Sequence, residues 1–274
     1  MGCLTTDTPL AGVSLLLLGC GKMGGALLNG WLGRGLEPSA VHVVDPLADL
    51  PAGVTRLTAE QAVALPPPDV CLVAIKPQVV PEVLPAYAPL AQAGTVFLSV
   101  AAGKTIDGLS GLLGGDAAVV RAMPNTPAAV GRGASVLCAN ARVPAPTRAL
   151  CETLMAAVGT VEWVDDESLI DAVTALSGGG PAYVFLLVEC LAEAGRANGL
   201  PADLAMRLAR STVAGSGALL DGSAEDAATL RKNVTSHKGT TAAALAVLMA
   251  EDALQPMVTR AIAAAAERSR ELAS

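Results

Sequence analysis

Aromatic residues are scarce in this chain of 274 residues: Phe, Trp and Tyr together make up 2%, whereas hydrophobic residues make up 52%. Ala, Leu and Val must therefore build the core. Because alanine has a small side chain and the highest helix propensity, we expect closely packed helices. Basic charge is also scarce, since 18 Lys and Arg against 25 Asp and Glu give a net charge of −7. This balance argues against a nucleic-acid partner, which needs a basic face, and against binding to anionic membranes.

Metal-site and disulfide patterns are also missing. No two cysteines form a Cys-x-x-Cys pair; the six are Cys3, Cys20, Cys71, Cys138, Cys151 and Cys190. This spacing argues against a zinc site and a disulfide framework, and buried free thiols in a reducing compartment explain it better. No apolar run is long enough to predict a membrane span. We therefore expect a cytoplasmic protein without a metal or a membrane partner.

Short apolar runs in the first 165 residues predict β-strands. They cover residues 13–18, 41–44, 70–75, 96–100, 119–120, 135–138 and 160–164. Continuous rather than alternating hydrophobicity is typical of strands buried on both faces, as in a parallel sheet covered by helices. We therefore predict an α/β fold whose N-terminal domain, residues 1–165, contains a doubly wound sheet.

After residue 165 the strand pattern stops and only helices are predicted. They cover residues 167–176, 181–197, 201–220, 223–232, 240–249 and 256–272. The run 182–188 is apolar on every face, and a helix that is hydrophobic all round must be buried all round. A small helical domain has little interior to bury it. We therefore predict that residues 166–274 form an all-helical C-terminal dimerisation domain.

A Gly-x-Gly-x-x-Gly motif follows the first predicted strand and opens a helix; it consists of Gly19, Cys20, Gly21, Lys22, Met23 and Gly24. The first glycine permits a tight turn, the second lets the backbone approach a pyrophosphate, and the third allows close helix packing. The helix N-terminus adds partial positive charge. An acid, Asp45, ends the second predicted strand, as this dinucleotide fingerprint requires. The N-terminal domain is therefore predicted to be a Rossmann-type domain that binds NADH or NADPH.

Asp45 bears on the choice between these cofactors. A carboxylate at this place accepts from the ribose 2′-hydroxyl of NAD and repels the 2′-phosphate of NADP. Residues 46–49 contain no cation that would offset it. Asp45 therefore favours NADH, unless it merely caps a turn before Pro46.

Four further segments stand after predicted strands or before the apolar helix. They are Ala74-Ile75-Lys76-Pro77-Gln78, Ser99-Val100-Ala101-Ala102-Gly103, Arg121-Ala122-Met123-Pro124-Asn125-Thr126-Pro127 and Leu176-Ser177-Gly178-Gly179-Gly180-Pro181-Ala182-Tyr183. Taken alone, Lys76 would be a solvated loop lysine, residues 121–127 a rigid loop and residues 177–181 an interdomain hinge. With the glycine motif and Gly239-Thr240-Thr241, however, the set resembles the pyrroline-5-carboxylate reductase family in order and spans nearly the whole chain.

The resemblance implies an oxidoreductase that uses NAD(P)H to reduce the C=N bond of 1-pyrroline-5-carboxylate to L-proline, the last step of proline biosynthesis. It implies a homodimer, or a larger oligomer of dimers. It also implies that two segments line the nicotinamide half of the cofactor: Ala74, Ile75, Lys76 and Pro77, and Ala101, Ala102 and Gly103.

The resemblance places the substrate on residues 234–241. It implies that the backbone of Gly239 and Thr240 holds the substrate carboxylate, with Ser236 nearby, and that the Thr241 hydroxyl acts as the catalytic group on the ring nitrogen. Free N–H groups at a helix start bind a carboxylate well. Plain helix capping by Thr240 is the alternative.

One departure from the family pattern stands in this segment. The family usually reads Ser-Pro-Gly-Gly-Thr-Thr, and here His237 and Lys238 occupy the Pro and Gly positions. Glycine permits a positive φ at no steric cost, whereas lysine does not. We therefore expect either another backbone path or local strain at Lys238.

Two other functions stay open at this point. The chain could be another Rossmann reductase, of the β-hydroxyacid or ketopantoate type, although those families lack the pairing of Ser-Gly-Gly-Gly-Pro-Ala-Tyr with Gly-Thr-Thr. It could also be a dinucleotide-binding protein without catalysis, which the departure at His237 and Lys238 keeps open.

Overall fold

The computed structural model describes residues 10–272, so Cys3 lies outside the described residues. Its contacts divide the chain into two compact units. The first unit comprises Met1–Gly178 and Ala266–Ser274, and the second comprises Gly179–Ala265.

One eight-stranded sheet lies in the first unit. Its strands are β1 (Leu15–Leu18), β2 (Val41–Val44), β3 (Thr55–Arg56), β4 (Val70–Val73), β5 (Val96–Ser99), β6 (Val119–Met123), β7 (Gly133–Ala139) and β8 (Gly159–Trp163). Their order is β3-β2-β1-β4-β5-β6-β7-β8. Because the order reverses between β1 and β4, a ligand crevice is expected at the carboxyl ends of these two strands.

The predicted apolar runs correspond to seven of these strands, and only β3 was missed. This strand has two exposed residues, Thr55 and Arg56, so it offers no hydrophobic signal. Its position depends on pairing with β2, where Val43 lies opposite Arg56.

The sheet is mixed rather than wholly parallel. Strands β6 and β7 are antiparallel, with Val120 opposite Ala139, while β7 and β8 are parallel to each other. A parallel neighbour needs a crossover of a dozen or more residues. The short connection after β6, with its 3₁₀-helix Thr126–Val130, suits an antiparallel return instead.

The helices of the first unit are α1 (Lys22–Gly33), α2 (Ala59–Ala64), α3 (Val80–Val83), α4 (Ala88–Gln92), α5 (Ile106–Leu112), α6 (Ala145–Ala156) and α7 (Leu169–Val173). Apolar cores lie on both faces of the sheet. One contains the buried Trp31, whose Nε1 donates to the carbonyl oxygen of Leu154 at 2.9 Å. The other contains the buried Tyr87, Phe97 and Ile170. Burial on both faces confirms the doubly wound prediction.

The first compact unit continues beyond the last strand to Gly178. Ile170 of α7 is fully buried in a core cluster of the sheet. A π-helical turn, Thr174–Gly178, then continues the helix to the end of this unit. The strand pattern does stop near residue 165, but the helical segment that follows still packs on the sheet.

The second unit is helical, as predicted. Its helices are α8 (Gly180–Ala197), α9 (Ala202–Gly222), α10 (Ala227–Asn233), α11 (Thr240–Leu248) and α12 (Leu254–Leu272), although the end of α12 belongs to the first unit. Helix α8 stops where the sequence predicts, because Gly199 has φ +93°. The N–H of Leu200 donates to Gly195 and that of Gly199 to Arg196, which is a Schellman motif.

Large apolar side chains of the second unit are exposed in the single chain. Phe185 is 62% exposed and Val247 is 71% exposed. The continuous helix Leu169–Ala197 is long and apolar enough to cross a membrane by length and composition, and 17% of its apolar window is buried. The sequence predicted no such helix, because the π-turn that joins α7 to α8 was not foreseen.

Candidate functional site

The glycine loop between β1 and α1 is closely packed at its first and third glycines. Gly19 has φ +85°, and a Cβ there would lie 2.8 Å from the carbonyl oxygen of Ala74. A Cβ on Gly24 would clash with the carbonyl oxygen of Gly19. Both positions therefore require glycine for reasons within the fold.

Gly21 is different, because a Cβ there would meet no described atom within 4 Å beyond its chain neighbours. It is also the N-cap of α1, where no side chain caps the helix and no acidic residue lies in the first turn. The packing of the chain does not explain this glycine, whereas a phosphate close to the backbone does. Gly21 and the neighbouring Lys22 and Met23 thus fit a dinucleotide pyrophosphate.

Asp45, at the end of β2, accepts three backbone hydrogen bonds. Its Oδ2 accepts from the N–H of Cys20 at 2.8 Å, and its Oδ1 accepts from the N–H groups of Leu47 and Ala48 at 2.9 and 3.1 Å. Asp45 therefore caps the turn, as the alternative held, and also joins that turn to the glycine loop. A carboxylate has about four lone-pair sites, so one acceptor position stays available for a ribose hydroxyl.

The charge of Asp45 is stabilised in place. Burial raises the pKa of Asp45. The hydrogen bonds from the N–H groups of Cys20, Leu47 and Ala48, together with the Arg56 charge, lower it by more than burial raises it, so the pKa lies below its ordinary value. The carboxylate is therefore ionised at neutral pH.

Arg56 supplies a cation that sequence reasoning did not place near Asp45. Its Nη1 donates to the carbonyl oxygen of Pro46 at 3.1 Å, and its Nη2 donates to that of Ala48. Residues 46–49 contain no cation, and β3, which carries Arg56, has no apolar run that would reveal it. The one available signal was that Arg56 is the only Lys or Arg between Arg34 and Lys76.

The two segments assigned to the nicotinamide half follow neighbouring parallel strands. Ala74, Ile75, Lys76 and Pro77 follow β4, and the N–H of Ala74 donates to the carbonyl oxygen of Leu18 in β1 at 2.8 Å. Ala101, Ala102 and Gly103 follow β5. Within these segments Lys76 and Ala102 are exposed and Ala101 is buried. Carboxyl ends of parallel strands meet at one edge, so both segments lie at the edge that carries the glycine loop.

Polar contacts hold the end of β6 and the segment after it, and one of the side chains involved, Glu167, was not singled out from the sequence. Nη1 of the buried Arg121 lies 2.7 Å from Oε1 of Glu167, which also accepts from the N–H of Ile106 at 2.9 Å. The Asn125 amide donates to the carbonyl oxygen of Ser177 at 3.0 Å and accepts from the N–H of Ala134 at 2.9 Å. Residues 121–127 thus comprise the end of β6 and the loop after it, and Asn125 of that loop contacts the π-turn.

The loop between α10 and α11 carries the predicted substrate residues. Gly239 is the N-cap of α11 and has no side-chain cap. Its N–H donates to the carbonyl oxygen of Ser236 at 3.1 Å, and a Cβ on Gly239 would clash with Ser236 Oγ. Thr240 and Thr241 are the first two residues of the helix and are exposed. Thr240 is therefore not the cap, and the N–H groups suited to an anion belong to Thr240 and Thr241 rather than to Gly239.

Lys238 keeps a glycine-like backbone. Its φ is +57°, and among residues 10–272 it is the one non-glycine residue with a positive φ. The departure from the family pattern therefore produces local strain and not another path, at a cost of roughly 1–3 kcal/mol. The residue is exposed.

The thiols of the described cysteines are free. Burial raises the pKa of Cys71 and, to about 12, that of Cys151. Burial also raises the pKa of Cys20, and the Asp45 charge acts in the same direction. Buried thiols were predicted, and of the five cysteines within residues 10–272, Cys71, Cys138 and Cys151 are buried, Cys20 is half-buried and Cys190 is exposed. Among the described residues, no cluster of three or more His, Cys, Asp or Glu side chains is suited to a metal ion.

Comparisons with known proteins match both halves of the chain. The family model described as "Pyrroline-5-carboxylate reductase dimerisation" matches residues 167–272, and the one described as "NADP oxidoreductase coenzyme F420-dependent" matches residues 14–103. The pyrroline-5-carboxylate reductase of Pseudomonas aeruginosa is 38% identical over 264 residues, which cover 94% of this chain and 96% of that protein. This chain belongs to the pyrroline-5-carboxylate reductase family.

Solved structures agree with this membership. A pyrroline-5-carboxylate reductase from Coxiella burnetii matches with a TM-score of 0.89 and 32% identity, over 96% of this chain and 99% of that one. The Plasmodium falciparum pyrroline carboxylate reductase, which has NADP bound, matches with a TM-score of 0.81 and 28% identity, over the same shares. The fold is thus the Rossmann-type domain with a helical C-terminal region that the sequence predicts.

Family membership also accounts for the exposed apolar helices. The dimerisation match contains α7 to α12 and hence the whole apolar helix Leu169–Ala197. These helices support homo-oligomerisation, in which subunit contacts cover faces that a single chain leaves exposed.

Proposed function

We propose that this chain reduces 1-pyrroline-5-carboxylate to L-proline, the last step of proline biosynthesis, with NADH or NADPH as the hydride donor. The observation that carries the proposal is the uncapped N-terminus of α11 at Thr240 and Thr241, in a chain similar over nearly its full length to the reductase of Pseudomonas aeruginosa. The free N–H groups at this helix start suit an anion. They lie where the resemblance implies the substrate carboxylate.

Residues of the second unit bind and orient the substrate. The N–H groups of Thr240 and Thr241 donate hydrogen bonds to its carboxylate, at the helix start where the partial positive charge is greatest. Ser236, whose Oγ lies close to Gly239, stands beside them. The Thr241 hydroxyl donates to or orients the ring nitrogen, and solvent or substrate supplies the proton.

Residues of the first unit bind the cofactor, which supplies the hydride when it is bound. Gly21 and the start of α1 would hold the pyrophosphate, and Asp45 would accept from the ribose. The segments of Ala74 to Pro77 and Ala101 to Gly103 would hold the nicotinamide half. Orientation of the bound reactants and exclusion of water then lower the barrier to hydride transfer.

The assignment includes several finer points. Residues 1–165 act as the cofactor domain and residues 166–274 as the substrate and dimerisation domain. NADH is used at least comparably to NADPH, because the Asp45 carboxylate repels a 2′-phosphate. The active form is a homodimer or a larger oligomer of dimers, and the enzyme works in the cytoplasm.

The test is to follow oxidation of NADH and NADPH by the purified full chain with pyrroline-5-carboxylate, and to identify L-proline by mass spectrometry. We expect turnover with this substrate and none with ketopantoate or β-hydroxyacid substrates. Turnover of those substrates instead would favour another reductase of this fold. Cofactor binding without any turnover would indicate a protein that binds dinucleotides without catalysis.

A further inference from the structure

Opposite charges meet on the turn that follows β2. The acids are Asp45 and Asp49, and the cation is Arg56, which reaches the turn from β3. Its guanidinium donates to the carbonyl oxygens of Pro46 and Ala48, on either side of Leu47. The Arg56 residue is exposed, so its charge stands at the surface of the turn where a ribose is expected.

Asp45 by itself would strongly disfavour NADPH. An ionised carboxylate at the end of this strand repels a 2′-phosphate, and the pKa of Asp45 lies below its ordinary value. However, both carboxylate oxygens already accept from backbone N–H groups, of Cys20 on one side and of Leu47 and Ala48 on the other. These contacts delocalise the charge, and the neighbouring guanidinium opposes it.

We propose that Arg56 binds the 2′-phosphate of NADPH, and that the Asp45–Arg56 pair lets this chain use both nicotinamide cofactors. A guanidinium has five N–H donors in a planar fork that matches phosphate geometry. One N–H on each terminal nitrogen is directed to the turn carbonyls, which leaves donors for phosphate oxygens. The inference rests on the proposed function, because it requires a dinucleotide on the glycine loop.

The same contacts offer a purely structural alternative for Arg56, since they tie β3 to the turn that carries Asp45. A tether of this kind supports the ribose site for either cofactor, so its loss would weaken NADH and NADPH alike. A phosphate ligand acts on NADPH alone. The ratio of the two affinities therefore separates a specificity residue from a structural one.

The experiment measures dissociation constants by calorimetry for NADPH, NADH, 2′,5′-ADP and 5′-AMP. The proteins are the full-length wild type, Arg56→Ala and Arg56→Lys, with Arg34→Ala as the control. Arg34 is an exposed arginine after α1, so its loss changes the net charge equally. In Arg56→Ala we expect the Kd of NADPH and of 2′,5′-ADP to rise at least about tenfold, equivalent to about 1.4 kcal/mol.

The Kd of NADH and of 5′-AMP should change less than about twofold in the same variant, and Arg56→Lys should retain part of the NADPH affinity because it keeps the charge but not the fork. Arg34→Ala should leave all four constants unchanged. Equal weakening of NADH and NADPH in Arg56→Ala would overturn the proposal in favour of the tether. Unchanged NADPH binding in Arg56→Ala would also overturn the proposal, because Arg56 would then not bind the 2′-phosphate.

If Arg56→Ala does not fold, the salt dependence of cofactor binding by the wild type still tests the proposal. The Kd of NADPH should rise more steeply with salt than that of NADH, because an additional ion pair is screened, and parallel slopes would overturn the proposal. These outcomes are independent of turnover. A chain that binds both nucleotides as described but does not reduce pyrroline-5-carboxylate contradicts the proposed function alone.

Discussion

Thr241 is the side chain on which the proposed chemistry most depends. It is the second residue of α11 and is exposed, so its hydroxyl is free of a structural role as a helix cap. Thr241→Ala should lower kcat/KM roughly tenfold to a hundredfold, because one hydrogen bond to a charged or polarised group is lost. Steady-state kinetics measures this effect.

The neighbouring Thr240→Ala is the matched control, since the proposal uses the backbone of Thr240 and not its hydroxyl. Its kcat/KM should stay within about a few fold of the wild type. Both variants should keep their fold and their affinity for NADH. Equal kinetics in the two variants would contradict a special role for Thr241.

Asp45 affects both the choice of cofactor and the stability of the turn that follows β2. Asp45→Ser should shift the NADPH-to-NADH preference toward NADPH by about tenfold, because the repulsion of a 2′-phosphate is removed. Asp49→Ser, which removes an exposed acid from the same turn, is the control. Steady-state kinetics with both cofactors measures the preference, and an unchanged preference in Asp45→Ser would show that Asp45 does not act on the ribose.

A dependence on pH follows from the same residue. The pKa of Asp45 is lower in the folded chain than its ordinary value of about 3.9. Its contribution to stability is therefore present above that ordinary value and is lost as pH falls through the lower, folded pKa. The difference in Tm between wild type and Asp45→Ser should shrink as pH falls below about 4.

At the scale of an element, the proposed function assigns the substrate carboxylate to the start of α11 together with the loop before it. Gly239 packs against Ser236, and the strained Lys238 adds a cation beside the helix N-terminus. This charge opposes the helix dipole, but it attracts an anionic substrate.

Lys238→Gly should therefore stay active with a KM for pyrroline-5-carboxylate that is roughly two- to fivefold higher and less sensitive to salt. The control is Lys232→Ala, which removes a cation from the last turn of α10 and should leave KM unchanged. KM measured against ionic strength gives the comparison. Identical curves for Lys238→Gly and the wild type would mean that Lys238 is only a tolerated surface change. Loss of activity at saturating substrate would mean that it does more than attract.

At the scale of the whole molecule, the second unit depends on a partner for burial. Leu187, in the middle of α8, is 48% exposed in the single chain. Obligate dimers often have no stable folded monomer, so Leu187→Glu should give aggregation or unfolding instead of a well-behaved monomer. Light scattering and circular dichroism measure both effects.

The control for this substitution lies on the same helix. Ala197 follows Glu189 and Glu193 at a helical spacing of four and is exposed. Ala197→Glu should therefore keep the oligomer and the activity. A wild-type protein that is a folded, active monomer would contradict the dependence on a partner.

The sequence by itself determined the features that depend on local patterns. Apolar runs specify seven strands of the sheet, and proline, glycine and helical periodicity specify the helices of the second unit. The glycine motif and the ordered segments after the strands specify the family, and they predict the cofactor edge of the sheet. These features follow from the sequence because each is encoded within a short stretch of chain.

Only the tertiary structure decided the features that depend on residues far apart in the chain. Pairing of β3 with β2 brings Arg56 onto the Asp45 turn, although β3 has no pattern of its own. The antiparallel pairing of β7 with β6 and the packing of Ile170 against the sheet also join residues that are separated in sequence. The positive φ of Lys238 was likewise visible only in the structure, because lysine by itself prefers a negative φ. For the strand pairing and the core packing, contacts between separated residues override a weak local preference.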